Sequence, residues 1–286
     1  MAKLSIIVAS HQRPSSLARL LHSLAPQLVG DRHELLVAEN GTVASTPIAI
    51  PDLQFVHLHD PRPGKCRIQN RAIALTSGEI LVFLDDDVVP ARDYLKAVEA
   101  FFADHPEFAA MKGRILPAEN PEVAAGENAA YLDLPLVDHG EEVIEVRGVI
   151  GANMAFRASA LRMVGLFDER LGPGAAGHEE ETELSQRLRR AGLHIGYAPR
   201  ALVWHEVDSR RAVRSRFIRI ARERGFCRTL HERHSRGEVL IKLTLAALRL
   251  ALARALKAPV ARIAREERRL AIAQGMRDGL RRLNAH

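Results

Sequence analysis

The chain of 286 residues has few cysteines, few aromatic residues and no long apolar run. Its two cysteines, Cys66 and Cys227, lie far apart and outside any CxxC pair, which excludes a disulfide scaffold and a zinc ribbon and favours a reducing compartment. The most apolar stretch, residues 239–256, contains three cations, so a membrane-spanning helix is not expected. The apolar run near the N-terminus is too short for a signal peptide. We therefore expect a cytoplasmic protein.

Charged residues are divided unevenly along the sequence. Residues 1–207 contain 20 Lys and Arg and 28 Asp and Glu, a net charge of −8, whereas residues 208–286 contain 21 and 7, a net charge of +14. The composition also changes near residue 208, to Arg, Ala and Leu with helical spacing. We expect one domain over residues 1–207, followed by a basic helical extension over residues 208–286.

Within the first domain, residues 1–90 repeat an apolar run, a polar turn and a helical pattern, which is typical of βαβ units. The predicted strands are residues 4–8, 34–38, 55–58 and 80–84, and the predicted helices are residues 15–28 and 67–76. Residues 91–207 predict a second half with helices at 93–103, 158–164 and 180–191, strands at 109–116, 142–149, 194–197 and 201–204, an irregular excursion at 117–140 and a glycine-rich loop at 172–177. The fold class is therefore α/β, with a mostly parallel sheet flanked by helices.

Polar residues follow three of the predicted strands. They are Ser10-His11, Glu39-Asn40-Gly41 and Asp85-Asp86-Asp87, and the carboxyl ends of parallel strands form the usual ligand crevice. Adjacent carboxylates repel one another, so the three aspartates favour a bound cation such as Mg²⁺ or Mn²⁺ with a nucleoside diphosphate. The alternative is a solvated acidic turn.

A second acidic group, Glu179-Glu180-Glu181-Thr182-Glu183, begins the predicted helix at residue 180. Acids stabilise a helix N-terminus, and a carboxylate at the mouth of a cleft can also act as a general base. His205 ends a strand downstream, where it is either a structural residue or a metal ligand.

In this order the motifs resemble the family 2 glycosyltransferases, inverting sugar transferases of the GT-A fold, from about Leu4 to Val207. The matching segments include Ser5 to Pro14, Val37 to Thr42, Gly64 to Asn70, Gly151 to Arg157, Val164 to Glu169, Glu180 to Arg187 and Val203 to His205. Three residues depart from the family pattern. Glu39 stands where Asp is usual, Gln69 stands where Arg is frequent, and Glu181 replaces the Asp of the catalytic Glu-Asp pair.

The resemblance implies a role for each matching residue. Glu181 would be the general base, with Glu180 as the alternative, while Asp87, Asp85 and His205 would bind Mn²⁺ or Mg²⁺ in a DXD-type motif. The donor, a UDP, dTDP or GDP sugar, would contact Ala9, Ser10, His11, Arg13, Glu39, Asn40, Lys65, Asn70, Asp85 and Asp86. The acceptor side would include Asn153, Met154 and Glu180. Lys65 and Arg67 could instead be solvated loop cations.

This resemblance implies an inverting, hexosyltransferase-type enzyme that transfers a sugar to a hydroxyl of a glycan, a lipid-linked molecule or a small molecule. Residues 1–90 would form the nucleotide-binding half and residues 91–207 the acceptor half. The nearest alternative enzyme is a nucleotidyl or phosphosugar transferase, which would need a glycine-rich loop that residues 10–16 lack. Another alternative is a nucleic-acid-binding or membrane-binding protein with an inactive transferase-like domain.

The basic extension is densest in arginine between Arg210 and Arg224. Few aromatics interrupt residues 208–286, which favours a membrane surface over nucleic acid. We expect this cluster to bind anionic lipid headgroups, so that the protein is peripheral on the inner face of a membrane and binds no nucleic acid. The alternative is a solvated helix or a contact in a homo-oligomer.

Overall fold

A computed structural model of the protein describes residues 2–28, 30, 32–43, 50–51 and 53–283. The chain divides into two compact units. The first consists of Met1–Ala118, Pro135–Glu169 and Glu180–Glu206, and the second of Glu119–Leu134, Arg170–Glu179 and Val207–His286. Two segments of the first 207 residues thus group with the C-terminal helices.

The first unit is built on a nine-stranded sheet. Its strands are β1 (Leu4–Ser10), β2 (Glu34–Asn40), β3 (Val56–Asp60), β4 (Ile80–Asp85), β5 (Val88–Pro90), β6 (Phe108–Pro117), β7 (Ile144–Glu145), β8 (Asn153–Arg157) and β9 (His194–His205). They lie in the order β3-β2-β1-β4-β8-β6-β9-β5, and β7 pairs with β9. The first four strands in this order are parallel, whereas β8 is antiparallel to both β4 and β6.

The central strands are buried on both faces of the sheet. Every residue of β1 is buried, and so are the apolar residues of β4, which explains why both read as continuous apolar runs rather than as alternating patterns. Their register places Ala9 beside Asp85 and Ser10 beside Glu39. The polar residues that follow β1, β2 and β4 therefore reach the same edge of the sheet.

Helices cover both faces of this sheet. They are α1 (Pro14–Leu24), α2 (Lys65–Ile73), α3 (Tyr94–Asp104), α5 (Ala158–Val164) and α6 (Glu180–Arg190). In α1 the proline stands in the first turn, where its missing N–H costs nothing. The buried leucines of α1, Leu17, Leu20, Leu21 and Leu24, belong to one apolar core with β1 and β4.

The second unit is helical. It contains α4 (Pro121–Ala125), α7 (Arg214–His231), α8 (Arg236–Ala255) and α9 (Val260–Leu283). Glycines let α7 and α9 touch backbone to backbone, because a β-carbon on Gly225 would overlap the carbonyl oxygen of Ile272, and one on Gly275 that of Arg222. Within the part of the chain that the structure describes, no helix is long and apolar enough to cross a membrane.

Several predicted elements differ in the structure. The strand predicted at 142–149 is reduced to the two residues of β7, and the strands predicted at 194–197 and 201–204 form one strand, β9. The register against β6 jumps across residues 199–201 of β9, because Pro199 cannot donate to the ladder and is accommodated in a bulge. β8 was not predicted as a strand, since its residues are buried on both faces and show no alternation.

Candidate active site

Asp86 holds the loop that follows β1. Its Oδ2 accepts hydrogen bonds from Ser10 Oγ at 2.8 Å and from the His11 N–H at 3.3 Å, while Oδ1 lies 3.1 Å from Arg13 Nη1. Burial raises the pKa of Asp86 to about 6, although Arg13 and Ser10 oppose this shift. Asp86 thus fixes the positions of three predicted donor-side residues.

Asp87 and His205 meet where β5 pairs with β9. The Nδ1–H of His205 donates to the carbonyl oxygen of Glu206 at 2.7 Å, which leaves Nε2 facing Asp87 Oδ1 at 3.4 Å. The other oxygen of Asp87 lies 2.5 Å from Arg13 Nη1. The hydrogen bond at Nδ1 fixes the orientation of the ring, as second-shell partners do in metal sites.

The donor types at this edge suit a divalent cation. A carboxylate oxygen and an imidazole nitrogen face each other in the pair Asp87–His205, and both are ligands that Mn²⁺ accepts. Among the described residues, no three His, Cys, Asp or Glu side chains form a ready metal-binding group. A metal held by this pair would therefore need further oxygen ligands, which a diphosphate carries.

Lys65, the first residue of α2, lies in a cluster of carboxylates. Its Nζ is 2.6 Å from Asp85 Oδ1, and Glu181 Oε1 accepts a hydrogen bond from the Gly151 N–H at 3.1 Å. A β-carbon on Gly151 would overlap Glu181 Oε1 and lie 3.0 Å from Lys65 Nζ, so the ammonium and the carboxylate are neighbours. Burial lowers the pKa of Lys65, but the charges of Asp85, Glu181 and Glu180 outweigh it and raise the pKa.

The two glutamates that begin α6 lie in different environments. Glu180 is buried, and its pKa is raised well above the ordinary value by burial and by the charge of Glu181, while Lys65 opposes the shift. Glu181 is half-buried and is held by the Gly151 N–H. The neutral form is thus favoured at Glu180.

At the end of β2, Glu39 is fully buried and lies 2.9 Å from Nε2 of His57. His11 Nδ1 lies 2.7 Å from the carbonyl oxygen of Asn40. His57 was missed at the sequence level. Its signal is the alternation Val56-His57-Leu58-His59-Asp60 in β3, which puts the two histidines on one face of the strand.

Three predicted site residues have their side chains engaged by the fold. Asn153 accepts from the Tyr94 hydroxyl at 2.7 Å and donates to two backbone carbonyls, and Met154 is buried in the core. Asn70 exchanges hydrogen bonds with the backbone of Phe167. These contacts within the fold are a structural reason for the three residue types. The predicted roles of the three residues in binding stay predictions.

The fold is that of solved glycosyltransferases. A mannosyltransferase from Pyrobaculum calidifontis, solved with GDP-Man and Mn²⁺, superposes with a TM-score of 0.62 at 20% identity and covers 98% of this chain and 87% of its own. GalNAc-T7, solved with UDP, GalNAc and Mn²⁺, gives a TM-score of 0.55 at 13% identity over 77% of this chain and 48% of its own. At these identities the likeness shows the fold alone, and it confirms the predicted GT-A architecture.

The sequence matches the family model described as "Glycosyltransferase like family 2" over residues 2–225. The chain therefore belongs to this family, which confirms the resemblance. It is 30% identical over 244 residues to the pre-mycofactocin glycosyltransferase of Mycobacterium tuberculosis, covering 80% of this chain and 48% of the relative. It is 22% identical to the glucosyl-dolichyl phosphate glucuronosyltransferase of Haloferax volcanii, over 72% of this chain and 69% of that relative. The chain thus spans about half the length of the mycobacterial relative.

Proposed function

We propose that the protein is an inverting, metal-assisted glycosyltransferase that moves a sugar from a nucleoside-diphosphate sugar to an acceptor hydroxyl. The observation that carries this proposal is the cluster around Lys65, because its ammonium lies beside both Asp85 and Glu181. Asp85 is the last residue of β4, and Glu181, the predicted base, is the second residue of α6. A donor-side acid and a base are thereby neighbours.

The donor is a UDP, dTDP or GDP sugar in this proposal. Glu39, buried at the end of β2, is a hydrogen-bond acceptor for the N–H of such a base. Lys65 would offer a cation to the diphosphate. It lies four residues, about one helical turn, before Gln69, so the two side chains share a face of α2. Structural neighbours solved with GDP-Man and with UDP support a nucleotide-sugar donor.

Asp87 and His205 would hold Mn²⁺ or Mg²⁺, with Asp85 as the third candidate ligand. The ion would supply positive charge to the departing diphosphate. Arg13 lies 3.1 Å from Asp86 Oδ1 and 2.5 Å from Asp87 Oδ2, so its charge partly offsets theirs. Mn²⁺ in two structural neighbours supports this assignment.

Glu181 is the general base of the proposed reaction. The acceptor oxygen attacks the anomeric carbon, the bond from that carbon to the diphosphate oxygen breaks, and the proton of the acceptor hydroxyl passes to the Glu181 carboxylate. One displacement inverts the anomeric carbon without a covalent sugar intermediate. Glu181 suits this role because it is held in place by Gly151, whereas burial favours the neutral form of Glu180.

The acceptor is a glycan, a lipid-linked molecule or a small molecule. A relative named for a dolichyl phosphate substrate supports the lipid-linked class. The arginine cluster predicted to bind lipid is largely balanced by acids within the second unit, for example in the pairs Arg214–Glu267 and Arg224–Asp133. These pairs argue against the cluster as the lipid-binding surface.

The test follows the anomeric carbon during turnover of a panel of UDP, dTDP and GDP sugars. In proton NMR, the first sugar product should have the opposite anomeric configuration to the donor. Glu181→Gln should lower kcat by about 10²-fold or more, the usual contribution of a general base. Glu180→Gln removes the neighbouring carboxyl, whose pKa burial raises, so it should retain most activity and serves as the matched control. A product with retained configuration, or a Glu180→Gln variant that is the more impaired, would contradict the proposal.

A further inference from the structure

Helix α8 has an apolar face on the side away from its buried contacts. Its buried residues are Val239, Ala246, Leu250 and Ala253, and α8 packs along α9 within the second unit. Large apolar side chains that remain 47–64% exposed are Leu240, Ile241, Leu245, Leu248, Leu252 and Leu256. Steps of three and four residues place five of these side chains on one face of the helix, and they are Ile241, Leu245, Leu248, Leu252 and Leu256.

This face is much more apolar than an ordinary protein surface in contact with water. Single exposed apolar residues are ordinary, but a contiguous apolar patch marks an interaction site. The row covers about four turns, because 15 residues at about 1.5 Å each span about 22 Å. The row is therefore a candidate interaction surface.

The charges around the row identify the kind of partner. Between residues 239 and 265 the sequence contains six Lys and Arg and no Asp or Glu. Lys242 and Arg254 pair with Glu238 and Glu267. Arg249, Lys257 and Arg262 are exposed, and within the described residues their side chains make no hydrogen bond or ion pair. An apolar row bordered by uncompensated cations complements a surface with apolar depth and anionic headgroups.

We propose that the exposed face of α8 binds a membrane that contains anionic lipid, with the leucine row entering the headgroup region and the cations contacting phosphates. A second copy of the chain fits less well, because it would bring two cationic faces together without an acid between them. The surface differs from the arginine cluster expected from the sequence. It takes no part in the proposed sugar transfer, so either proposal can fail alone.

The test is co-sedimentation of the full chain with vesicles of phosphatidylcholine alone and of phosphatidylcholine with phosphatidylglycerol. The wild type should bind the anionic vesicles more tightly, and the difference should shrink in high salt. Leu248→Gln/Leu252→Gln should reduce binding to anionic vesicles at least tenfold. Arg249→Gln/Lys257→Gln should remove most of the preference for anionic lipid. The matched control Val123→Gln/Met163→Gln, which changes exposed apolar residues outside α8, should bind like the wild type.

Circular dichroism and thermal midpoints should show that all variants are folded. Equal binding of the leucine variant and the wild type would overturn the proposal, and so would a wild type that ignores anionic vesicles. Light scattering adds a separate outcome. A wild-type dimer that the leucine substitutions convert to a monomer would assign the face to a second copy and would also overturn the proposal.

Discussion

Replacing Lys65 by methionine should remove the cation that lies beside the carboxylates of Asp85 and Glu181. Methionine keeps most of the length of the side chain and loses the charge. In the folded variant the carboxylates would then repel one another in a mostly buried cluster, and the pKa of Glu180, which Lys65 lowers in the wild type, should rise further above its ordinary value. The unfolded chain does not share this effect, because its carboxylates are solvated.

The size of the effect follows from Coulomb's law. Two unit charges about 4 Å apart interact by about 4 kcal/mol at an effective dielectric constant of about 20, which equals about three pKa units. The Asp85 side chain is 29% exposed, and the interaction is shared among the carboxylates. We therefore expect a loss of about 2–4 kcal/mol in the free energy of unfolding at pH 8.

The sign of the pH dependence is fixed by proton binding. With the pKa of Glu180 raised further, the folded variant binds more protons than the unfolded chain, so its stability falls as the pH rises. Urea unfolding between pH 5 and pH 8 should thus show a deficit against wild type that is largest at pH 8 and smaller at pH 5. The matched control is Lys112→Met, because burial lowers the pKa of Lys112 and its removal should not destabilise the fold at pH 8.

Two results would refute this reasoning. One is a Lys65→Met variant as stable as wild type at pH 8. The other is a deficit of equal size at pH 5 and pH 8, which would indicate lost packing rather than lost charge.

Three further predictions concern the same unit. Gly151→Ala should lower kcat at least about tenfold, because the new methyl group would displace Glu181; steady-state rates with an unchanged kcat would contradict this. Burial would raise the pKa of Glu34, but hydrogen bonds from Lys3 and two serines lower it to about 2. Glu34→Gln should therefore lose about 1 kcal/mol above pH 4.5, after allowance for solvent, and this loss should vanish towards pH 2 in urea titrations. His205→Gln should weaken Mn²⁺ binding at least about tenfold in calorimetry, and unchanged affinity would remove His205 from the metal site.

The donor side of the site was predictable from the sequence because it depends on local pattern. Strands β1, β2 and β4 begin at the predicted residues and end within two residues of the predicted limits. Parallel pairing then brings their polar ends to one edge of the sheet. The acidic start of α6 was equally visible, since acids at a helix N-terminus followed by arginines in the last turn are a local signal.

The remainder depends on contacts between residues distant in sequence. Nothing near Lys65 indicates that Gly151 and Glu181 lie beside it, more than 80 residues away. The difference between Glu180 and Glu181 is likewise one of burial, which adjacent identical residues cannot reveal in the sequence. The arginines at 214 and 224 looked uncompensated because their acidic partners lie at 267 and 133. For the same reason the exposed row of α8 looked like any other apolar helix face.

Binding of nucleoside diphosphates tests the central claim most directly. Calorimetry with UDP, dTDP and GDP, each with and without Mn²⁺, should be performed on wild type, on Asp87→Asn and on the exposed control Asp104→Asn. We predict that one diphosphate binds more tightly with Mn²⁺, and that Asp87→Asn loses this gain while Asp104→Asn keeps it. If none of the three diphosphates binds, or if binding ignores both Mn²⁺ and Asp87, the assignment of this site to a metal-assisted sugar transfer is wrong.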